Sequence, residues 1–263
     1  MRLSEKVVVV TGSTTGIGKA IARRCLAEGA SVLIHGLELE LAESTWIELD
    51  PEKSRSDIIV ADLADPDSPK RIRDSALARF GRVDALVNNA ARVGTGNIVS
   101  TNRESFDEFL EVNTKAPFFL IQALLDTLKA TKGSVVNIGS VNAYCGEPDL
   151  LPYSISKGAL MTLTRNLGDT LHRDYGVRVN QINPGWVLTE NEKMRKQEQG
   201  LPSNWPSRIG PNFAPSGRIF DPAEIASAVV YFLSEESGPV SGSILDIEQH
   251  PMIGRNPAKE VES

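Results

Sequence analysis

Three side chains near the middle of the chain could together move a proton and orient an oxygen: Ser140, Tyr153 and Lys157. Tyr153 and Lys157 stand four positions apart in Tyr-Ser-Ile-Ser-Lys, and in a helix that spacing puts phenol and ammonium on one face. A free tyrosine titrates near ~10, whereas an acid/base works best near the operating pH, so a neighbouring cation that favours the phenolate is the adjustment such chemistry needs. Ser140 ends Asn137-Ile-Gly-Ser at the carboxyl end of a predicted strand, the edge on which open α/β sheets bind ligands. From there its hydroxyl could hold a substrate oxygen. Each feature alone also has a plainer reading, since YxxxK arises by chance at helix starts and a serine after a strand is a common turn residue.

The elements around these residues follow a βαβ rhythm. Short β-branched runs predict strands over 7–11, 31–35, 57–61, 84–88, 134–138, 177–182 and 243–247, with helical periodicity over 16–29, 37–49, 69–80, 104–130, 152–174 and 222–233. The strands are nearly continuous apolar runs (VVVV, DIIV, ALV, SVVNI), the pattern of parallel strands covered on both sides. The expected fold class is α/β, a doubly wound Rossmann-type parallel sheet with helices on both faces, in a single domain over 1–263. Gly29, Gly133 and Gly176 follow helical patterns where a left-handed residue is cheapest, and Asp221-Pro222 reads as a helix start. Between them, 184–217 carries Pro202, Pro206, Pro211 and Pro215 and does not read as one regular element. Its part over 186–217 is the expected substrate lid, and 255–263 reads as a loosely packed tail.

Thr11 to Gly18, TGSTTGIG, lies between the first strand and the first helix, where a dinucleotide pyrophosphate would meet helix N–H groups. Its glycines, Gly12, Gly16 and Gly18, are spaced GxxxGxG rather than GxGxxG, so a nucleotide site and a tight βα connection both remain open at this point. The second strand ends His35-Gly36-Leu37-Glu38, with no basic residue at 36–38 and Thr15 in the turn. An acid there suits a ribose 2′-hydroxyl and an arginine a 2′-phosphate, so the expected cofactor is NAD rather than NADP, although Glu38 also reads as a solvated helix-start acid.

Composition narrows the partners. The 263 residues hold 28 basic and 34 acidic side chains, a net charge of -6, with 41% hydrophobic content, which points away from nucleic acid and from a polybasic membrane contact. Two cysteines, Cys25 and Cys145, and three scattered histidines give no metal-ligand spacing. No apolar run approaches the ~18 residues of a membrane span, and no signal-peptide pattern opens the chain. The expected partner is a small molecule and the expected location the cytoplasm.

Taken in order, the motifs resemble the short-chain dehydrogenase/reductase family over essentially the whole chain. They are TGxxxGIG at 11–18, Asp62-Leu63, Asn88-Asn89-Ala90, Asn113 in Val-Asn-Thr, Ser140 in Ile-Gly-Ser, YxxxK at 153–157, and Pro184-Gly185. The resemblance implies hydride transfer between a nicotinamide cofactor and a secondary alcohol or ketone. Tyr153 would be the acid/base, Ser140 would orient the carbonyl, Lys157 would bind the nicotinamide ribose and lower the tyrosine pKa, and Asn113 would complete a proton relay through water. Gly12, Thr14, Thr15 and Ile17 would cradle the cofactor, with Asp62 and Leu63 at the adenine. Asn89 and Ala90 would lie on the adenosine side, and Pro184, Gly185, Val187 and Thr189 at the nicotinamide end. Plainer roles exist: Asp62 as a helix cap, Asn113 pairing backbone groups at a helix kink, Pro184-Gly185 as a turn. The family also implies a homodimer or homotetramer through the two long helices after the fourth and fifth strands.

Three departures from the family pattern stand out: Ala91 where glycine is usual, Glu248-Gln249-His250 where an Asp-Gly-Gly-like sequence is usual, and adenine-ribose positions that match neither cofactor pattern cleanly. Substrate choice is expected in 184–217, 92–96 and 142–151. There Trp186, Trp205 and Phe213 could line a pocket or pack the lid, and Asn142, Glu147 and Arg208 could bond hydroxyls or an anion. With no basic docking cluster, a small polyol or sugar is favoured over an acyl-carrier substrate. The competing readings are a catalytically silent nucleotide sensor or scaffold of the same fold, a 3-oxoacyl reductase, and a sugar-nucleotide epimerase or dehydratase.

Overall fold

Four consecutive valines begin the sheet. Strand β1 (Val7–Val10) sits centrally in a seven-stranded sheet of order β3-β2-β1-β4-β5-β6-β7, in which every neighbouring pair is parallel. The other strands are β2 (Ser31–Gly36), β3 (Ser56–Val60), β4 (Ala85–Asn88), β5 (Ser134–Ile138), β6 (Arg178–Pro184) and β7 (Ile244–Ile247). The computed structural model describes residues 1–144 and 146–251; Cys145 and the expected tail at 255–263 lie outside the described residues.

Strand period explains the two cores. Val8, Val10, Val32, Ile34, Val87 and Val136 face one side with α1 (Gly16–Ala27) and α8 (Pro222–Leu233). Val9, Leu33, Leu86, Val135 and Val179 face the other, against α3 (Ser68–Phe80), α5 (Ala116–Thr131) and α6 (Leu151–Tyr175). Alternate residues of each strand thus bury on opposite faces, each fully buried aliphatic side chain contributing roughly 1.5–3 kcal/mol of gross transfer energy. The remaining helices are α2 (Leu39–Leu49), α4 (Arg103–Leu110) and α7 (Glu190–Glu198).

Three local expectations are corrected. The helical region expected over 104–130 is interrupted by a π-helical turn, Glu111–Lys115, between α4 and α5. The left-handed residue ending α5 is Lys132 (φ 49°), not Gly133. Gly133 is required for space instead, because a Cβ there would collide with the Asp84 carbonyl. The lid stretch holds a real helix, α7, capped by the Thr189 hydroxyl, which accepts from the Glu192 N–H (3.1 Å). Prolines bound that helix without entering it. At α8 the expected start is a full capping box between Asp221 and Glu224.

Candidate active site

The connections leave β1 and β4 toward opposite faces, so the carboxyl edge opens between them into a cleft of about 2130 Å³. Its floor is the turn from β1 to α1. Gly12 and Gly16 have positive φ (59° and 52°), and a Cβ on Gly12 would stand 2.8 Å from the Ala90 Cα. The first turn of α1 carries neither an acidic residue nor a side-chain cap, leaving its N–H groups facing the cleft. Thr11 ties this turn to the strand alongside, its hydroxyl accepting from the N–H groups of Asn89 (3.0 Å) and Ala90 (3.1 Å). Asn89 Nδ2 returns two bonds, to the carbonyls of Thr11 and Gly12 (2.9 Å each).

His35 is a clamp that the motifs did not reveal. Its Nδ1 accepts from the Gly12 N–H (3.0 Å), which puts the ring proton on Nε2, 2.9 Å from the Ala61 carbonyl. The imidazole is buried, and burial drives its pKa down from 6.5 to about 4 against the weaker pull of the Ala61 carbonyl and Asp62. Beyond it, Gly36 packs under Thr14, while Leu37 and Glu38 reach solvent at the rim. Asp62, also exposed, caps no helix: its Oδ1 accepts from the Ala64 N–H (2.9 Å) in a local turn, and α3 begins later, at Ser68.

Ser140, Tyr153 and Lys157 share the opposite wall. Leu151 and Pro152 open α6, so that Tyr153 falls in its first turn and Lys157 one turn on. The Lys157 ammonium is buried, donates to the Ile138 carbonyl (2.8 Å) and lies 5.8 Å from the Tyr153 ring centroid. Burial lowers its pKa to about 8. The Tyr153 phenol reaches the cleft, and the dominant effect on it is burial, which raises its pKa; a Ser140 hydrogen bond and the Arg195 charge oppose this. The lysine donates to a strand carbonyl beside the phenol, and Arg195 is a second cation that acts on the phenol.

Asn113 sits in the π turn and is buried. Its Oδ1 accepts from the Arg92 N–H (2.7 Å), and its Nδ2 donates to the Arg92 carbonyl (3.0 Å) and to Ser156 Oγ (2.9 Å). With both amide hydrogens engaged, the side chain locks the loop after β4 against α6 one residue before Lys157. The remaining expected contacts, Leu63, Pro184, Gly185, Val187 and Thr189 with Thr15 and Ile17, all line the same cleft.

In the lid, Trp186 and Trp205 stack with centroids 5.1 Å apart, and Trp205 is buried among Ala214 and Ile219. Trp205 thus packs the lid, and Phe213 is largely exposed. Trp186 Nε1 donates to Glu192 Oε1 (2.8 Å), and Glu192 Oε2 accepts from Arg195 Nε (2.9 Å) and Nη2 (2.6 Å). Arg195 was invisible in sequence because no motif contains it and α7 was not foreseen. Asn142, Glu147 and Arg208 line the cleft, as does Glu248, whose carboxylate lies where a side chain on Gly185 would be. Among the described residues there is no cluster able to hold a metal ion, and no helix is long and apolar enough to cross a membrane.

The family described as enoyl-(acyl carrier protein) reductase, a branch of the short-chain dehydrogenases/reductases, matches residues 12–249. The chain belongs to the short-chain dehydrogenase/reductase family. An uncharacterized oxidoreductase of Thermotoga maritima is 34% identical, covering 94% of this chain and 98% of the relative. A cyclopentanol dehydrogenase of a Comamonas species is 30% identical, covering 94% and 97%. The crystal structure of levodione reductase superposes with a TM-score of 0.86 at 29% identity, covering 94% of this chain and 97% of that one. As a short-chain dehydrogenase/reductase, the protein is an oxidoreductase that transfers hydride between a nicotinamide cofactor and an alcohol or ketone.

In this member of the family the cradle depends on an imidazole that must stay neutral. Between its unfolded value near 6.5 and its folded value near 4, His35 takes up a proton only when the chain unfolds. Its contribution is therefore complete above pH 6.5 and declines as pH falls toward 4, by at most roughly 3 kcal/mol. Urea unfolding of the wild type and His35→Gln across pH 7 to 4 is expected to show a steeper loss of stability in the wild type; parallel curves would contradict it.

Proposed function

We propose that the chain interconverts a small polyol- or sugar-like secondary alcohol and its ketone, using NAD, with Tyr153 as acid/base. The observation that carries this reading is the grouping of Ser140, Tyr153 and Lys157 on one wall of a cleft whose floor is the glycine turn. The turn suits a dinucleotide: Gly12, Gly16 and Gly18 let a ligand approach its backbone closely, and the α1 N-terminus behind it has no side-chain cap. In this reading Gly12, Thr14, Thr15 and Ile17 hold the pyrophosphate side, Asp62 and Leu63 the adenine, and Asn89 and Ala90 the adenosine. Pro184, Gly185, Val187, Thr189 and Lys157 hold the nicotinamide end. When bound, the nicotinamide supplies or takes up the hydride.

The chain's own residues handle the oxygen and its proton. Ser140 donates to the substrate oxygen, and Tyr153 gives it a proton in reduction or removes one in oxidation. A phenol raised by burial is protonated at neutral pH, the form that reduces a ketone, so alcohol oxidation should climb with pH. Lys157 and Arg195 bring positive charge to this wall, which favours the phenolate. Asn113, its amide hydrogens already engaged, would serve a relay through its main chain.

NAD is favoured because the rim from the glycine turn to α2 presents Thr15, Leu37, Glu38 and Asp62 and no cation for a 2′-phosphate. A polyol is favoured over an acyl-carrier substrate because the substrate end mixes Glu147, Asp149 and Glu248 with Arg92 and Arg208 instead of forming a cationic collar. We also propose that a second copy covers α5 and α6. Phe118, Phe119 and Ile155 are exposed there, and Phe118 and Phe119 border a shallow recess of about 430 Å³.

Three outcomes test this reading. In a panel of polyols, sugars and secondary alcohols followed by nicotinamide absorbance, Tyr153→Phe is expected to lose at least about 100-fold in kcat while keeping its melting temperature; undiminished turnover would refute the assignment. Glu38→Arg is expected to shift kcat/KM from NAD toward NADP by about tenfold or more, and an unchanged ratio would count against the NAD reading. Sedimentation of Phe119→Asp should give a smaller species than the wild type, whereas identical profiles would exclude the α5 face as the contact.

A further inference from the structure

The sheet face that carries Leu86, Val135 and Val179 turns polar as it reaches the cleft. Asn88, Asn137 and Gln181 lie in register across β4, β5 and β6, and Asn183 is in register with Asp246 on β7. Their side chains form a continuous line. Asn88 Nδ2 donates to Asn137 Oδ1 (2.8 Å), and Asn137 Nδ2 donates to Thr164 Oγ1 of α6 (2.8 Å). Thr164 Oγ1 donates to Gln181 Oε1 (2.9 Å), and Gln181 Nε2 donates to Asn183 Oδ1 (2.7 Å). From Asn88 to Asn183 every member is buried.

The line ends on the loop that carries Ser140. The Ser140 N–H donates to Asn183 Oδ1 (3.1 Å), and Gly139 lies flat on the same amides, where a Cβ would collide with Asn183 Oδ1 and Gln181 Nε2. The Asn183 amide has one possible orientation. Its Nδ2 donates to the Asp246 carboxylate (3.0 Å), which also accepts from the Tyr144 hydroxyl (3.0 Å), so its oxygen must face Ser140 and Gln181. Buried amides cost about 1–3 kcal/mol each when a partner is missing, and aliphatic side chains would fill this layer without that risk. What the amides add is direction.

We propose that Asn183, oriented by Gln181 and by Asp246 of the edge strand, is a positioning residue: it fixes the Ser140 main chain and thereby aims the Ser140 hydroxyl at the reacting oxygen. This rests on the reading that Ser140 holds the substrate oxygen. Asn183 touches neither substrate nor cofactor, so its loss should lower kcat and leave cofactor affinity alone.

A double-mutant cycle of Asn183→Leu and Ser140→Ala tests it, with kcat measured on the fastest substrate of the panel and NADH affinity by fluorescence. Asn183→Leu is expected to lower kcat about tenfold with the NADH Kd unchanged, and to cost less than about twofold once Ser140 is already alanine, because its route of action is gone. Equal factors in both backgrounds, or an undiminished kcat in Asn183→Leu, overturn the proposal. Full activity of Ser140→Ala alone overturns it through its premise and strikes the serine reading with it. If Asn183→Leu does not fold, the pair Asn183→Asp and Asp246→Asn replaces it, since exchanging acid and amide keeps an acceptor for the Ser140 N–H. The double exchange should recover several-fold of the kcat lost in Asn183→Asp, and no recovery overturns the proposal.

Discussion

Parallel strands in one sheet can be joined only by crossovers that pass over a face, and those crossovers are right-handed. From β1 the chain moves outward through β2 to β3 and then returns to place β4 on the other side of β1. The helices after β1 and β4 must therefore leave these two neighbouring strands toward opposite faces, and between them nothing can cover the carboxyl edge. The glycine turn, Asn89 and Ala90 border that gap on one side. Ser140 and the start of α6, one strand further along, border it on the other. The cleft is thus a consequence of winding order, and the functional side chains are those that happen to end there.

Burial then sets the chemistry of the edge. Tyr153 and Lys157 are both pushed toward their neutral forms, the phenol upward and the ammonium down to about 8. His35, further along the edge, is held neutral by the same desolvation. Low dielectric makes each remaining charge count for more, which is why the Arg195 guanidinium on α7 acts on the phenol although it is also paired with Glu192. The lid is consequently part of the electrostatics of the site as well as its cover.

The sheet, its helices and the Ser140, Tyr153 and Lys157 group were legible because each rests on local periodicity or on a short motif at an element end. Short apolar runs between turn residues read as strands, and YxxxK fell at the start of α6 with Lys157 one turn after Tyr153, as its spacing requires. What escaped was long-range. His35 reaches back across 23 residues to Gly12. Arg195 depends on a helix hidden among prolines. The amides from Asn88 to Asn183 are scattered over three strands, and only the register of the finished sheet lines them up. The Lys157 ammonium was correctly placed on the tyrosine's helix face, yet its hydrogen bond goes to Ile138, a partner that sequence spacing does not supply.

The π-helical turn at Glu111–Lys115 has a consequence for how this protein can vary. A π turn amounts to one surplus residue in an otherwise continuous rod, and each residue of an α-helix advances the rod by about 100°. Losing a single codon from this stretch would restore regular winding and leave the residues downstream in phase, whereas losing one from the regular turns beyond it would rotate everything that follows by about 100°. Leu120, Leu124 and Leu128 would keep to the core they fill, but the widened turn that aims Asn113 at Arg92 and Ser156 would be gone. The length of this segment is therefore set by the site that Asn113 serves and not by the core beneath it.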